Sequence, residues 1–304
     1  MLHLKALQKT AFDHSLIKKK LLALRAATTE GALMFKKLQR YIKFMFFFPI
    51  KLGIASVLGS YPALAQDMLQ GVDLEQPAYS QAELTRTDIE KAIINHATGA
   101  PLDFSRKSLN GLDLSGLNLS GCNFYAARLN KTDLNNTNLE GAILDQAWLI
   151  EANLTNASLK GAHAFATQMQ RIRADKANFS GIRLTADLTG ASLRETIFNE
   201  SDLSADMKNQ SMGLMRANLR STRLEGASFK KANLMSVDLR FAHAARTNFT
   251  EANLSDANAA GADFSGAVWK DARVTNLDLD SALIDSDSLS VLQNALHLDR
   301  VQKK

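Results

Sequence analysis

The 304-residue chain has a single cysteine, Cys122, and few aromatic residues. One cysteine excludes an intrachain disulfide, so the fold has to be stable without covalent cross-links. Hydrophobic residues make up 46% of the sequence but aromatic residues only 7%, which means that apolar surface is plentiful while large side chains are scarce. The composition therefore predicts a narrow core.

Sequence motifs of catalytic and cofactor-binding proteins are missing as well. The chain has no Walker-type glycine loop, no cluster of cysteine and histidine residues, and no nucleophile in a recognised elbow. We therefore predict that the protein is not an enzyme and that it has no cofactor.

Acidic residues are scarce in the N-terminal segment. Residues 1–65 contain eleven Lys and Arg against only Asp13 and Glu30, whereas residues 66–304 contain 25 basic and 29 acidic residues, a net charge of −4. The overall charge of +5 is thus a property of the N-terminal segment. The rest of the chain lacks the basic excess that indicates an anionic partner such as nucleic acid.

This segment has the order of an export signal. The basic run MFKKLQRYIK (34–43) precedes the apolar stretch FMFFFPIKLGIASVLG (44–59), and Ala63-Leu64-Ala65 then fits the small-x-small rule of signal peptidase. We predict cleavage between Ala65 and Gln66 and export to the periplasm or the exterior.

Two alternatives to this interpretation stay open. The leader could be retained as a membrane anchor, although Pro49 and Lys51 shorten the apolar run well below the roughly 20 residues that span a bilayer. Residues 1–33 precede a complete signal, so translation could start at Met34 or Met45, or the basic region could be unusually long.

A period of five residues runs through most of the remaining chain. Helices repeat apolar residues every 3.6 positions and strands every 2, so neither explains this spacing. Counting by five from Phe104 gives 37 pentads, of which 29 have Leu or Phe at the centre and nineteen have Ala two residues earlier. The register shifts twice, which predicts a shortened corner near Thr185 and one extra residue within 204–213, with Leu214 as the next centre.

The repeats resemble those of the pentapeptide-repeat family, whose motif is A(D/N)LXX. The match is close in EANLTNASLKGA (151–162) and KANLMSVDL (231–239), and it covers about residues 102–289. The resemblance implies an all-β solenoid, a right-handed quadrilateral β-helix with four pentads to a coil and roughly nine coils. The central residue and the residue two before it would point inward, and the latter has room only for Ala, Ser, Thr or Cys. Cys122 takes this inward position, which favours an inert buried thiol.

A 20-residue coil predicts which side chains stack on one another. Phe104 should lie on Phe124, Phe229 on Phe249, and Leu134 between Leu114 and Leu154, because stacked coils bury what one pentad cannot. Glycines two residues after a centre should lie in a turn with positive φ. They are Gly116, Gly121, Gly141, Gly161 and Gly181.

Both ends of a solenoid have to be covered. The stretch 86–101 predicts a helix with Thr87 and Glu90 in capping-box spacing, and 288–304 has apolar residues at near-helical spacing, which predicts a second helical cap.

We divide the chain into a basic extension (1–44), the hydrophobic and cleavage region of a signal peptide (45–65), a linker with a capping helix (66–101), the β-helix (102–288) and a C-terminal capping helix (289–304).

Two groups of outward side chains are candidate partner surfaces. An apolar patch would be a contact site for a protein, and it comprises Tyr125, Trp148 and Phe165. A charged row, counted coil by coil, would meet an anionic partner or be an ordinary solvated ladder, and it comprises His163, Arg183, Asp202, Arg223 and His243.

Neither possible metal site has suitable spacing. His163 and His243 would be four coils apart, roughly 19 Å at about 4.8 Å per coil, which is too far for one zinc ion. The Asp-rich stretch NLDLDSALIDSD (276–287) lacks EF-hand spacing. We predict no metal site.

The sequence favours a non-enzymatic extracytoplasmic scaffold that binds a protein or a component of the cell envelope. The resemblance implies two alternatives, since some family members mimic DNA and bind DNA gyrase and others are effectors delivered to a host cell. A net charge of −4 is small for a DNA mimic, and the leader directs the chain out of the cytoplasm. We expect a protein partner, no nucleic acid and no small-molecule substrate.

Overall fold

The computed structural model describes residues 73–96, 100–205 and 216–304. The predicted signal peptide, its cleavage site and Leu214 lie outside these residues. Most of the described chain consists of turns and single parallel bridges. The longer elements are α1 (Pro77–Ser80), α2 (Arg86–Ile94), β1 (His163–Gln168), β2 (Arg183–Asp187), β3 (Leu283–Ile284), a 3₁₀ helix (Ser286–Ser290) and β4 (Gln302–Lys303).

Parallel bridges join residues that are 20 positions apart, so each coil contains four pentads. They form four rows, which we call faces A, B, C and D and which start at Asp103, Ser108, Asp113 and Asn118. The row on face A links nine residues, from Asp103 to Arg273. Each bridged residue immediately precedes a pentad centre and points outward. The described coils therefore build a four-sided β-helix.

The pentad centres fill the interior as ladders. Leu114, Leu134 and Leu154 follow bridged neighbours on face C, and all three are buried. The predicted aromatic pairs Phe104–Phe124 and Phe229–Phe249 are stacked, each with ring centroids 5.5 Å apart. Face D extends the second pair into a longer ladder made of Phe179, Phe198, Phe229, Phe249 and Trp269. The predicted stacking of coils is confirmed.

The inward residue two before each centre lies beside a corner and is often Ala. The expectation that this position has room only for Ala, Ser, Thr or Cys is wrong, because Ile172, Ile182 and Leu277 occupy it and are buried. Where Thr replaces Ala there, its hydroxyl donates to a backbone carbonyl, as Thr132 Oγ1 does to Leu109 (2.9 Å) and Thr137 Oγ1 to Leu114 (3.0 Å). These hydroxyls are buried yet hydrogen-bonded, so they avoid the cost of an unsatisfied polar group.

A tight turn closes each corner. The N–H three residues after a centre donates to the carbonyl of the centre, as in Leu117 to Leu114 (3.3 Å), and the residue two after the centre has positive φ, as the third residue of a type II turn requires. The five predicted glycines have φ between 64° and 71°. Many corners hold other residues in the same conformation, for example Asn156 at 57°.

The Asp or Asn that precedes each pentad centre stabilises the turn after that centre by accepting hydrogen bonds. Asp113 Oδ1 accepts from the N–H of Ser115 (2.9 Å) and from its hydroxyl (2.6 Å). These hydrogen bonds favour the ionised carboxyl and hold the pKa of Asp113 below its usual value. Along the solenoid, Asn153 Nδ2 donates to Asp133 Oδ1 at 2.9 Å. The outward Asx residue thus stabilises its own turn and links neighbouring coils.

The first register shift is a shortened corner, as predicted. Strand β2 pairs with β1 so that Phe165 faces Thr185 and Thr167 faces Ala186. Ala166 is left without a partner in the pairing, and the next coil is one residue shorter from that point.

The second shift is larger than the one extra residue that we predicted. Asp202 pairs with Asn233, 31 residues later instead of 20, so eleven residues are added to one coil. Ala217 N donates to Leu203 O (3.4 Å), which closes the corner across the insertion. Among the described residues, the next pentad centre after Leu203 is therefore Leu219, and the predicted centre Leu214 lies outside them.

Deleting residues 206–216 should leave the β-helix intact. The deletion joins Ala205 to Ala217 and restores a coil of 20 residues, since Ala217 N already donates to Leu203 O at this corner. We expect circular dichroism to show a folded protein with a melting temperature within a few degrees of wild type. Deleting 236–246, also eleven residues, should destroy the fold because it shifts every following ladder by one position. Equal damage from both deletions would contradict the assigned corner.

The predicted N-terminal helix is present as α2, but its cap differs from our expectation. Thr85 is the N-cap and forms a capping box with Asp88, so the predicted pair Thr87 and Glu90 is wrong. The two Thr85 hydrogen bonds, from its hydroxyl and its N–H, lower the pKa of Asp88. Ile89 of α2 is 1% exposed and belongs to the same core as the coils.

The predicted C-terminal α-helix is absent from the described residues. After the 3₁₀ helix the chain continues around the solenoid, and β4 pairs in parallel with β3. Leu296 N donates to Leu277 O (2.8 Å) and Gln302 N to Ala282 O (2.8 Å). An irregular coil can pair with the open edge of the last regular coil, whereas a helix would leave that edge unpaired.

The helices among the described residues are all too short and too polar to cross a membrane.

Candidate interaction surface

The first three members of the predicted charged row are neighbours on face A. His163 pairs with Arg183 and Arg183 with Asp202. The Arg183 guanidinium lies 2.5 Å from the Asp202 carboxylate, and both side chains are partly exposed. Exposed pairs of this kind contribute about 0–1 kcal/mol. The pair orders two outward side chains more than it stabilises the fold.

The other two members lie elsewhere, so the predicted continuous row is wrong. Asn233 follows Asp202 on face A, whereas Arg223 and His243 are bridged to each other on face C. The eleven added residues cause this error, because they move each following pentad to a different face from the one expected. Asp202 is therefore flanked by one arginine, Arg183, and not by two.

The predicted aromatic patch is divided. Tyr125 and Phe165 occupy equivalent positions two coils apart, but Asp145 lies between them and its Oδ1 accepts from the N–H of Phe165 (2.7 Å). Tyr125 instead donates to Gln146 Oε1 (3.1 Å), and the guanidinium carbon of Arg106 lies 5.9 Å from its ring centre. A carboxylate thus interrupts the apolar surface that these two rings would share.

The third aromatic residue, Trp148, is covered by residues 73–83, which we call the N-terminal strap. The ring of Tyr79 stacks on Trp148 with centroids 5.2 Å apart and an interplanar angle of 14°. Farther out, Glu75 Oε1 lies 2.7 Å from Lys131 Nζ, and this hydrogen bond raises the pKa of Lys131. The strap lies on face B of the first three coils, a contact that no pattern in residues 66–85 indicated.

Sequence reasoning also missed an exposed aromatic residue, Phe241. It is 49% exposed and occupies a corner with φ 58°, which is unusual for a bulky side chain. The guanidinium carbon of Arg220 lies 5.4 Å from its ring centre, and the ring lies against Gly261 of the following coil. A large residue at a corner followed 20 positions later by glycine is the signal that would have identified it.

Replacing Gly261 with alanine should be more harmful than the same change at Gly161. Both glycines occupy a corner with positive φ, so each substitution costs about 1 kcal/mol of backbone strain. A methyl group at Gly261 would also lie 2.7 Å from the Phe241 ring, while nothing lies within 4 Å at Gly161. We expect an additional loss of about 1–3 kcal/mol from this collision, measured by denaturant unfolding. Adding Phe241→Ala should remove the difference, and a persistent difference would contradict the contact.

Asp238 and Arg240 form the most buried ion pair in the described chain. The Arg240 guanidinium donates twice to the Asp238 carboxylate, at 2.9 and 2.5 Å. Burial acts to raise the pKa of Asp238, but the hydrogen bonds and charge of Arg240 outweigh it and the pKa is lowered. This pair fixes the guanidinium of Arg240, the residue that precedes Phe241 in the chain, and neutralises its charge.

Cys122 is buried, and desolvation raises the pKa of its thiol to about 11. A thiol in this state is a poor nucleophile, in agreement with a structural role. Within the three described ranges, the His, Cys, Asp and Glu side chains form no group of three that could hold a metal ion.

The geometry defines a class of protein, a repeat solenoid whose outward side chains form four long faces. The family model for pentapeptide repeats matches in eight copies, over residues 108–146, 142–181, 214–250, 232–271 and 247–283. The matched residues are pentapeptide repeats of this family, whose members form right-handed quadrilateral β-helices.

Three solved structures illustrate the similarity. HetL from the cyanobacterium Nostoc sp. strain PCC 7120, a pentapeptide repeat protein involved in heterocyst differentiation regulation, is 22% identical over 64% of this chain and 97% of its own (TM-score 0.22). QnrB1, a plasmid-mediated fluoroquinolone resistance protein, is 16% identical over 63% and 88% (TM-score 0.35). A pentapeptide repeat protein from the Arabidopsis thaliana thylakoid lumen is 21% identical over 48% and 71% (TM-score 0.14). A comparison with curated proteins gives no match.

Proposed function

We propose that this protein is a non-enzymatic scaffold that acts outside the cytoplasm by binding another protein or an envelope component through the faces of its β-helix. The observation that carries the proposal is the regular outward row on each face, which places side chains one coil apart along the solenoid. Pentapeptide-repeat proteins are generally structural or interaction scaffolds, and repeat solenoids use such extended surfaces for binding.

The surface is ordered in a way that suits binding. Asx side chains such as Asp113 hold the corners, and Arg183 is held by Asp202 on face A. A partner that meets pre-ordered side chains loses less conformational entropy on binding. Export is supported by the basic, apolar and small-residue order of residues 34–65.

Charge argues against the DNA-mimic alternative. A mimic of the DNA backbone needs strongly negative faces, but face C presents Arg173, Arg223 and His243 in its outward row. No feature of the described residues favours the host-delivered effector over a scaffold in the envelope. Both alternatives serve as outcomes of the experiment below.

The test uses the full chain with a C-terminal tag, expressed in a Gram-negative bacterium and fractionated. We expect a mature protein that begins at Gln66 in the periplasmic or extracellular fraction. A photo-crosslinker at Arg183 on face A should give a discrete adduct with an envelope protein, and one at Lys270, beside face D, serves as the position control. Full-length protein free in the cytoplasm would overturn the proposal, and protection of gyrase from an inhibitor in a supercoiling assay would favour the DNA mimic.

A further inference from the structure

The N-terminal strap lies on a surface with the features of a peptide-binding site. Asn110 and Asn130 are each 3% exposed, and their side-chain amides donate to strap carbonyls, Asn110 to Gln81 (3.3 Å) and Asn130 to Tyr79 (3.3 Å). The Ser108 hydroxyl also donates to the Gln81 carbonyl. Face B of the first three coils therefore binds backbone carbonyls at the end of α1 as well as side chains.

The two halves of the strap are held differently. Its inner end is part of the fold, since Ala82 forms an antiparallel bridge with Leu109 and Glu83 N donates to Ser108 O (2.8 Å). The outer part, residues 73–80, contains α1, which has no buried residue. Its outermost contact is the pair of Glu75 with Lys131, whose side chains are 77% and 44% exposed. Exposed ion pairs add little to stability, so the outer part is held mainly by the stack of Tyr79 on Trp148 and the Asn130 hydrogen bond to Tyr79 O. Breaking these contacts leaves the backbone pairing of Ala82 and Glu83 in place.

The strap also leaves one group on this surface unsatisfied. Arg128 stands on face B between Ser108 and Trp148, and its Nε atom is buried without a hydrogen-bond partner among the described residues. A segment that brings an acceptor to this nitrogen would bind better than the strap does, because an unpaired buried donor is costly.

We propose that face B of the first three coils is a binding site for a short peptide segment of a partner protein, and that the strap occupies this site until the partner displaces it. The partner segment would repeat the chemistry of the strap, an acidic residue for Lys131 followed four positions later by an aromatic residue for Trp148. The inference rests on the proposed scaffold function and specifies one of its surfaces.

Tryptophan fluorescence provides the test. The chain has two tryptophans, so Trp269→Phe, which matches the other members of its ladder, leaves Trp148 as the only reporter. In this background, Glu75→Ala with Tyr79→Ala should release the outer strap and shift the Trp148 emission toward that of an exposed indole. The probe is an acetylated peptide of residues 73–80, DLEQPAYS, because residues 81–84 of the chain stay in place in this variant. It should restore the emission and bind the released variant at least tenfold more tightly than the chain with an intact strap.

Three controls make the result specific. A peptide with alanine in place of tyrosine should not bind. In the released variant, Trp148→Ala, followed by anisotropy of a labelled peptide, should reduce affinity at least tenfold, whereas Tyr125→Ala, outside the strap contact, should not. Circular dichroism should show that each variant is folded. The inference would be overturned if the Trp148 emission is the same with and without the strap contacts. It would also be overturned if Trp148→Ala leaves the affinity for the peptide unchanged. Neither result would affect the test of export and envelope binding.

Discussion

Replacing Leu134 with aspartate should abolish the folded state. Leu134 is 1% exposed and lies in the face C ladder between Leu114 and Leu154. Losing a buried leucine costs about 3 kcal/mol, and an unpaired carboxylate in its place costs several kcal/mol more. Together these losses approach the whole stability of a typical domain, about 5–15 kcal/mol. We expect no cooperative melting transition by circular dichroism and extensive aggregation.

The matched control places the same carboxylate two residues away. Asn136 is exposed and has φ 55°, a conformation that aspartate tolerates. Asn136→Asp should therefore change the free energy of unfolding by no more than about 0.5 kcal/mol. A Leu134→Asp protein that melts like wild type would show that this residue does not point into the core.

Replacing Ala65 with leucine should block processing of the precursor. Signal peptidase accepts only small side chains at this position, and the uncleaved precursor would keep its apolar segment and stay with the membrane. Mass spectrometry and immunoblotting of cell fractions should then show the full-length chain in place of a protein that begins at Gln66. This prediction concerns residues outside the described part of the chain and depends on the sequence alone.

Leu64→Phe is the control for the processing experiment. It adds bulk one residue earlier, at the position where the cleavage rule allows any side chain. Normal cleavage of this variant together with blocked cleavage of Ala65→Leu would locate the site. If wild type itself remains full-length and cytoplasmic, the export hypothesis fails and gyrase binding becomes the better candidate.

The eleven residues added after Leu203 change the face of the β-helix on which distant residues lie. Arg223 and His243 follow the pentad pattern as regularly as Arg183 does, yet they lie on face C because eleven residues enter the coil after Leu203. The five-residue period of the repeats shows which side chains point outward. It does not show how many residues an interruption adds to a coil, and that number decides which face each later pentad joins.

The sequence by itself determined which side chains point inward, because the five-residue period runs through most of the chain, and the resemblance to pentapeptide repeats implied the coil of four pentads. A central Leu or Phe needs burial, and a glycine two residues after a centre suits a turn with positive φ, so Leu134 and Gly161 could be placed without a structure. Tertiary structure alone decided the non-repeating contacts. The strap reaches Trp148 and the C-terminal residues pair with β3 because exposed edges and faces have to be satisfied by whatever segment is near in space. Those partners are far apart along the chain and share no period that a sequence could reveal.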